Sequence, residues 1–158
     1  MFSYFPNPIH GTVTMTTDTL STVAEANAAL GQAFFAEQDR VRGGPTGALC
    51  AAAYTVTIGS NPPMDRAGHE SFAVGFYAGF PDAMHEIDDV VATSDRAFVR
   101  AILHGTHTGS FFGIPATGKT IRVPLHGVFH VRDGLVEKLV AVFDEAGLLR
   151  QIGVMPSH

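Results

Sequence analysis

The dipeptide Asp133-Gly134 constrains the fold of this chain more than any other feature. Asp-Gly between two alternating apolar runs is a two-residue hairpin signal. It joins Thr120–Arg132 to Leu135–Phe143. Two further runs come before it. Met84–Ala92 stops at the turn cluster Thr93-Ser94-Asp95, and Ala97–Thr108 leads into the Gly/Pro-rich connection GSFFGIPATGK. Four long strands linked in succession predict an antiparallel sheet. Asp144 then reads as the N-cap of a short helix, Glu145–Gln151.

The first half reads as mainly helical. Asp18 and Thr19 are N-cap types, and Val23, Ala26, Leu30, Ala33 and Phe34 recur at helical spacing. RGGP ends that helix at Arg42–Pro45, and a shorter helix is expected over Thr46–Ala53. Thr55–Gly59 is β-branched and reads as a short strand. Two prolines make Ser60–Arg66 a loop. Gly68–Phe80 predicts a third helix, with Phe72, Phe76 and Phe80 on one stripe facing the sheet. Helices followed by hairpin-linked strands define an α+β fold with helices packed on one sheet face. Residues 1–16 are aromatic and Pro-rich without a period. They read as an N-terminal arm to a single domain over residues 17–158.

Composition narrows the function. The chain has 158 residues, 46% of them apolar and 16% charged, with a net charge of −5. That balance suits a globular core and speaks against a phosphate-backbone binder, so no nucleic-acid partner is expected. No run reaches the ~18 apolar residues of a membrane span, and no basic leader precedes an apolar segment. The expectation is a cytoplasmic protein without a membrane partner. The single cysteine, Cys50, excludes an intrachain disulfide and reads as a buried apolar residue. There is no GxSxG, P-loop, GxGxxG or Cys/His metal spacing, so neither a metal nor an organic cofactor is expected.

The phrases FPDAMHEIDDV, GTHTG…GIPATGK, the DG hairpin and FDEAGLLRQIG, in that order, resemble the SnoaL-like polyketide cyclases of the NTF2-like superfamily. The resemblance covers roughly Tyr54–Gly153. It implies a cone: a strongly curved antiparallel sheet, about three helices packed over it, and an apolar pocket between. In such cyclases a carboxylate moves a proton next to a carbonyl during an intramolecular aldol closure, without a cofactor. With the DG hairpins superposed, the catalytic Asp falls on Ala141, its supporting His on Gly127 and a Gln on Leu125. A further Asn falls near Val56 or Thr57. The superfamily also pairs commonly through the convex sheet face, which implies a homodimer.

Strand alternation puts Leu125, Gly127 and Phe129 on one face, and Leu139, Ala141 and Phe143 on one face of the next strand. With Tyr54 and Phe76 these are the candidate substrate-binding residues for a hydrophobic small molecule. Gly127 and Ala141 are expected to leave room for a bulky ligand. Asp144, His104 and His107 are the candidate catalytic residues. Asp144 and His107 have plainer readings, as a helix cap and a hairpin fixture; His104 reaches the pocket if the strand parity is the reverse of the one inferred. His126 and His130 lie on the opposite face roughly 13 Å apart, too far to share a metal. His85–Asp89 reads as a solvated strand. Two main functions stay open, a proton-transfer cyclase or isomerase and a non-catalytic binding protein of the same fold; a protein–protein adaptor using the His126, Val128 and His130 face is a third reading.

Overall fold

A computed structural model describes residues 17–156; the expected N-terminal arm lies outside the described residues. The first helix, α1, spans Thr17–Val41. A short 3-10 turn (Gly47–Leu49) leads into strand β1 (Cys50–Ile58), then β2 (Met64–Asp65) and helix α2 (Arg66–Gly79). Strands β3 (Met84–Ala92), β4 (Arg96–Thr106), β5 (Thr120–Arg132) and β6 (Leu135–Phe143) follow, and helix α3 (Glu145–Gln151) ends the fold.

The six strands form one sheet in the order β2-β1-β6-β5-β4-β3. It is antiparallel except where β1 runs parallel to β6. The pairing slips between Ile87 and Asp89, between His130 and Val131, and between Cys50 and Thr55. Such bulges bend a strand and raise its twist, which lets the sheet wrap around the helices. Alternation then sorts side chains by face. Ala97, Val99, Ala101 and Leu103 of β4 are buried, as are Ile121, Val123, Leu125 and Phe129 of β5. Helix α1 packs across β3 and β4 on this inner face.

The hairpin strands, α2 and α3 lie where the sequence predicts them, within two residues at each end. The segment Thr46–Ala53 does not. Its alanines favour helix, but Cys50 pairs with Val136, and Thr55–Ile58 pair with Lys138–Ala141. Tertiary pairing overrides local propensity there, and β1 begins five residues before the expected start at Thr55. Among the described residues two α-helices precede the long strands; the third is α3, which packs on β5.

The buried stripe of α1 is rotated from the expected one. Ala26 and Ala33 face outward, whereas Asn27, Phe34, Phe35, Gln38 and Asp39 are buried. The stripe therefore ends in two polar residues one turn beyond a Phe pair. Just past them the helix stops: Arg42 and Gly43 have φ of 53° and 79°, and Gly43 N donates to Gln38 O at 3.1 Å. A Cβ on Gly43 would lie 2.5 Å from the backbone of Ala73. Glycine at this helix stop therefore brings the end of α1 against α2.

Gly127 does not leave room for a ligand. A Cβ there would meet Leu139 Cδ1, Phe129 Cε2 and Phe35 Cζ at 3.2–3.3 Å. The space is already filled by core side chains. Gly127→Ala is expected to destabilise the fold by about 1–3 kcal/mol through overpacking. A urea midpoint at or above that of the wild type would contradict this.

Candidate active site

The inner face encloses an apolar cavity of ≈ 60 Å³ between α1, α2 and the sheet. Ile58, Phe76, Leu125, Leu139, Ala141 and Phe143 are among its walls, so five of the expected substrate-binding residues meet there. Tyr54, Gly127 and Phe129 do not line it. Tyr54 stands behind His69, Gly127 is covered by Phe35 and Leu139, and Phe129 is sealed beneath Phe34 and Phe35. Small-molecule pockets usually exceed ~300 Å³, so a ring-sized ligand needs the wall to move. A second cavity of ≈ 70 Å³ shares Ile58, Phe72 and Phe143 with the first. Phe72, half-buried against the exposed Phe112 at a ring distance of 5.6 Å, stands between the two spaces.

Four of the residues lining the main cavity are polar or carry a polar tip: Gln38, His69, Tyr77 and His85. They form two networks. In the first, Asp39 is buried on α1 beside the cavity wall. Its Oδ1 accepts from Tyr77 Oη at 2.6 Å and from His85 Nδ1 at 2.7 Å, and its Oδ2 accepts from the His85 backbone N–H at 2.9 Å. Burial alone would push this carboxyl up. The His85 hydrogen bonds and charge, with Tyr77, outweigh it and hold the group below its ordinary value. Asp39 is therefore ionised at neutral pH. Burial and the adjacent carboxylate push the Tyr77 phenol up, so it stays a donor. With Nδ1 donating to Asp39, Nε2 is the ring nitrogen left to take up or give a proton. Phe35 stacks on that ring at 4.6 Å and fixes its plane.

In the second network, His69 of α2 lies between Tyr54 and Gln38. Tyr54 Oη and His69 Nδ1 are 3.1 Å apart, as are Gln38 Nε2 and His69 Nε2. Burial lowers the His69 pKa to about 4, so the ring is neutral at pH 7. Burial also pushes the Tyr54 phenol up.

The three expected catalytic residues lie elsewhere. Asp144 is exposed and caps α3, accepting from Gly147 N at 2.7 Å. His104 falls between the inward Leu103 and Gly105, on the outer face opposite Met84 and Arg122. His107 is fully buried in the connection after β4, with Nδ1 3.0 Å from Thr117 Oγ1 and Phe80 stacked on its ring. Its Nε2 has no partner among the described residues. Sequence reasoning missed Asp39, Gln38, His69, Tyr77 and His85. The signal was present: Gln38 and Asp39 continue the stripe of Phe34 and Phe35, and His69 precedes Ala73 and Phe76 on the stripe of α2. Polar groups on an apolar stripe are the informative exception. Among the described residues no cluster of three or more His, Cys, Asp or Glu is placed to hold a metal, and no helix is long and apolar enough to cross a membrane.

His69 predicts a pH signature. The unfolded chain takes up its proton near 6.5, the folded chain only near 4. Between those values the unfolded state binds more protons, so stability falls as pH drops, by up to about 1.4 kcal/mol per unit. Asp39 supports the fold above its ordinary value of 3.8, and its contribution fades only at lower pH, outside this window. The urea midpoint should fall from pH 7 to pH 4.5, and less steeply in His69→Gln. Equal slopes in the two proteins would contradict the assignment.

Comparison with known proteins agrees with this architecture. The family described as SnoaL-like polyketide cyclase matches residues 47–152. A proposed SnoaL-like polyketide cyclase from Jannaschia sp. CCS1 superposes with a TM-score of 0.73 at 21% identity, covering 85% of this chain and 96% of that one. AclR from Streptomyces galilaeus, a proposed hydroxylase, gives 0.77 at 22%, covering 85% and 89%. IdmH from Streptomyces antibioticus, a proposed polyketide cyclase, gives 0.65 at 27%, covering 82% and 97%. Among curated proteins none matches the chain significantly. The bent, open sheet with its covering helices is thus the NTF2-like, ketosteroid-isomerase-like α+β fold. With more than half of its length matched by the family, the protein belongs to the SnoaL-like polyketide cyclases.

Proposed function

We propose that this protein is a cyclase- or isomerase-type enzyme that moves a proton next to the carbonyl of a hydrophobic small molecule, with His85 as general base and acid. The observation that carries the reading is the Asp39–His85 pair. A buried carboxylate accepts a hydrogen bond from His85 Nδ1 at 2.7 Å, and the ring it orients lines an apolar cavity. An imidazole so held is the usual protein group for proton transfer near neutral pH. In the proposed step the α-carbon proton moves to His85 Nε2. The C–H pair becomes the C=C bond, and the carbonyl π pair moves onto oxygen. Asp39 stabilises the resulting imidazolium, and the proton is returned to carbon in an isomerisation or to the new alkoxide in an aldol closure. This reading puts the base on the edge strand β3 rather than on β5 and β6, where the resemblance puts the cyclase carboxylate and its helper; those positions are Ala141 and Gly127 in this chain.

A second reading, a binding protein of the same fold, is favoured by one observation: the β5 and β6 side chains that line the cavity, Leu125, Leu139, Ala141 and Phe143, offer no polar group to a ligand. Hydrogen–deuterium exchange separates the two. Aromatic ketones and esters incubated with the protein in D₂O should gain deuterium α to the carbonyl. His85→Asn and Asp39→Asn should each slow this by about 10²-fold or more. Ligands that bind without any exchange would favour the binding protein. Loss of exchange in Asp144→Ala, His104→Ala or His107→Ala, with His85→Asn fully active, would move the base to one of those three residues.

A further inference from the structure

Hydrogen-bond counting in the second network fixes what the cavity offers a ligand. Tyr54 is 2% exposed, and its hydroxyl has one partner among the described residues, His69 Nδ1. Its proton therefore has one place to go, and His69 Nδ1 accepts it. A neutral imidazole that accepts at Nδ1 carries its hydrogen on Nε2. The Gln38 atom 3.1 Å from His69 Nε2 is the amide nitrogen; a His69 Nε2–H can donate only to the amide oxygen, so the amide must be rotated by half a turn about its Cγ–Cδ bond. The two amide atoms are told apart only by their partners. The opposite orientation would put the Gln38 NH₂ on a bare Nε2, make Nδ1 a donor and leave the Tyr54 proton buried without an acceptor. Such an orphan costs about 1–3 kcal/mol.

We propose that Gln38 turns its NH₂ group into the cavity as a hydrogen-bond donor for a carbonyl or enolate oxygen, with Tyr54 and His69 as the positioning residues that hold it so. Gln38 lines the cavity, and the amide arm not engaged by His69 has no protein partner among the described residues. The neutral state of His69 at pH 7 is consistent with this chain of donors, Tyr54 to His69 to Gln38. His85 lines the same cavity, so a base and an oxyanion donor share one apolar enclosure, where such a donor counts for far more than in water. The inference rests on the cavity being a ligand site. It adds the ligand class: an apolar molecule with a carbonyl acceptor, in preference to one that presents only a hydroxyl donor.

The test has a ligand-free arm and a ligand arm. Long-range ¹⁵N–¹H spectra of the whole protein at pH 7 should show His69 as the Nε2–H tautomer; the Nδ1–H tautomer would overturn the proposal. In calorimetry, acetophenone should bind more tightly than phenol. Gln38→Met should weaken acetophenone about tenfold while leaving ethylbenzene, which has no polar atom, unchanged. Gln38→Glu, of the same shape but with no NH₂ to donate, should weaken acetophenone at least as much. The carbonyl stretch of bound ¹³C-labelled acetophenone should move to higher frequency in both variants. Equal acetophenone binding and an unmoved stretch in both variants would overturn the donor. A wild type that binds neither acetophenone nor ethylbenzene would overturn the ligand site with it. Tight, Gln38-dependent acetophenone binding without any deuterium exchange would leave the donor standing and reject the enzyme.

Discussion

An ionised carboxylate sits inside an apolar cone, and the inner architecture is arranged around it. Asp39 comes from α1, its Tyr77 donor from α2, and its two His85 donors from β3. Removing one partner of a buried charge typically costs about 3–5 kcal/mol, because the remaining charge cannot return to water. The three elements are therefore tied at one point. Arg42 adds to the tie, donating to Ala83 O at 2.7 Å while its guanidinium lies 5.6 Å from the centre of the Tyr77 ring. Gly43 allows the close approach of α1 to α2 that this point requires. An apolar cluster alone would tolerate helix slippage; a carboxylate with three directional donors sets the position of α1 along its axis.

The same tie explains why polar chemistry survives on an apolar floor. Strands β4, β5 and β6 contribute Leu103, Leu125, Leu139 and Ala141 to the cavity, and no acid or base. The polar groups come from the helical side and from the edge strand β3. Each is buried with defined partners: His85 on Asp39, His69 between Tyr54 and Gln38. Stacking on Phe35 and Phe34 fixes both imidazole planes. Rings held by packing and hydrogen bonds together are pre-organised for the proposed proton transfer, in which little would have to reorganise. The wall at Phe72 has the opposite character. It is half-buried against the exposed Phe112, itself at φ 43°, and separates the cavity from the second space beyond it.

Much of the fold was legible in the chain. Period-two alternation and the Asp133-Gly134 turn located β5, β6 and their inward faces, because a one-residue slip would have reversed every side chain. The N-cap Asp144 marked α3 for the same reason that it is not in the cavity: its carboxylate is spent on Gly147 N. Two things were not legible. The alanine-rich start of β1 reads as helix until β6 is beside it. The candidate site was hidden because its five polar residues, Gln38, Asp39, His69, Tyr77 and His85, are scattered over α1, α2 and β3 and form no spaced motif. His85 looks like a member of a solvated HEIDD strand; only the docking of α1 places a carboxylate against it. A polar pair continuing an apolar helical stripe, as Gln38 and Asp39 do after Phe34 and Phe35, was the one sequence sign of that arrangement.

The central claim is that Asp39 holds His85 as an Nδ1–H imidazole with a free Nε2. The downfield proton spectrum tests this most directly. A resonance coupled to His85 Nδ1, shifted far downfield by its short bond to the carboxylate and lost in Asp39→Asn, is the predicted result. An Nε2–H tautomer of His85, or an Nδ1 proton unaffected by Asp39→Asn, would contradict the account.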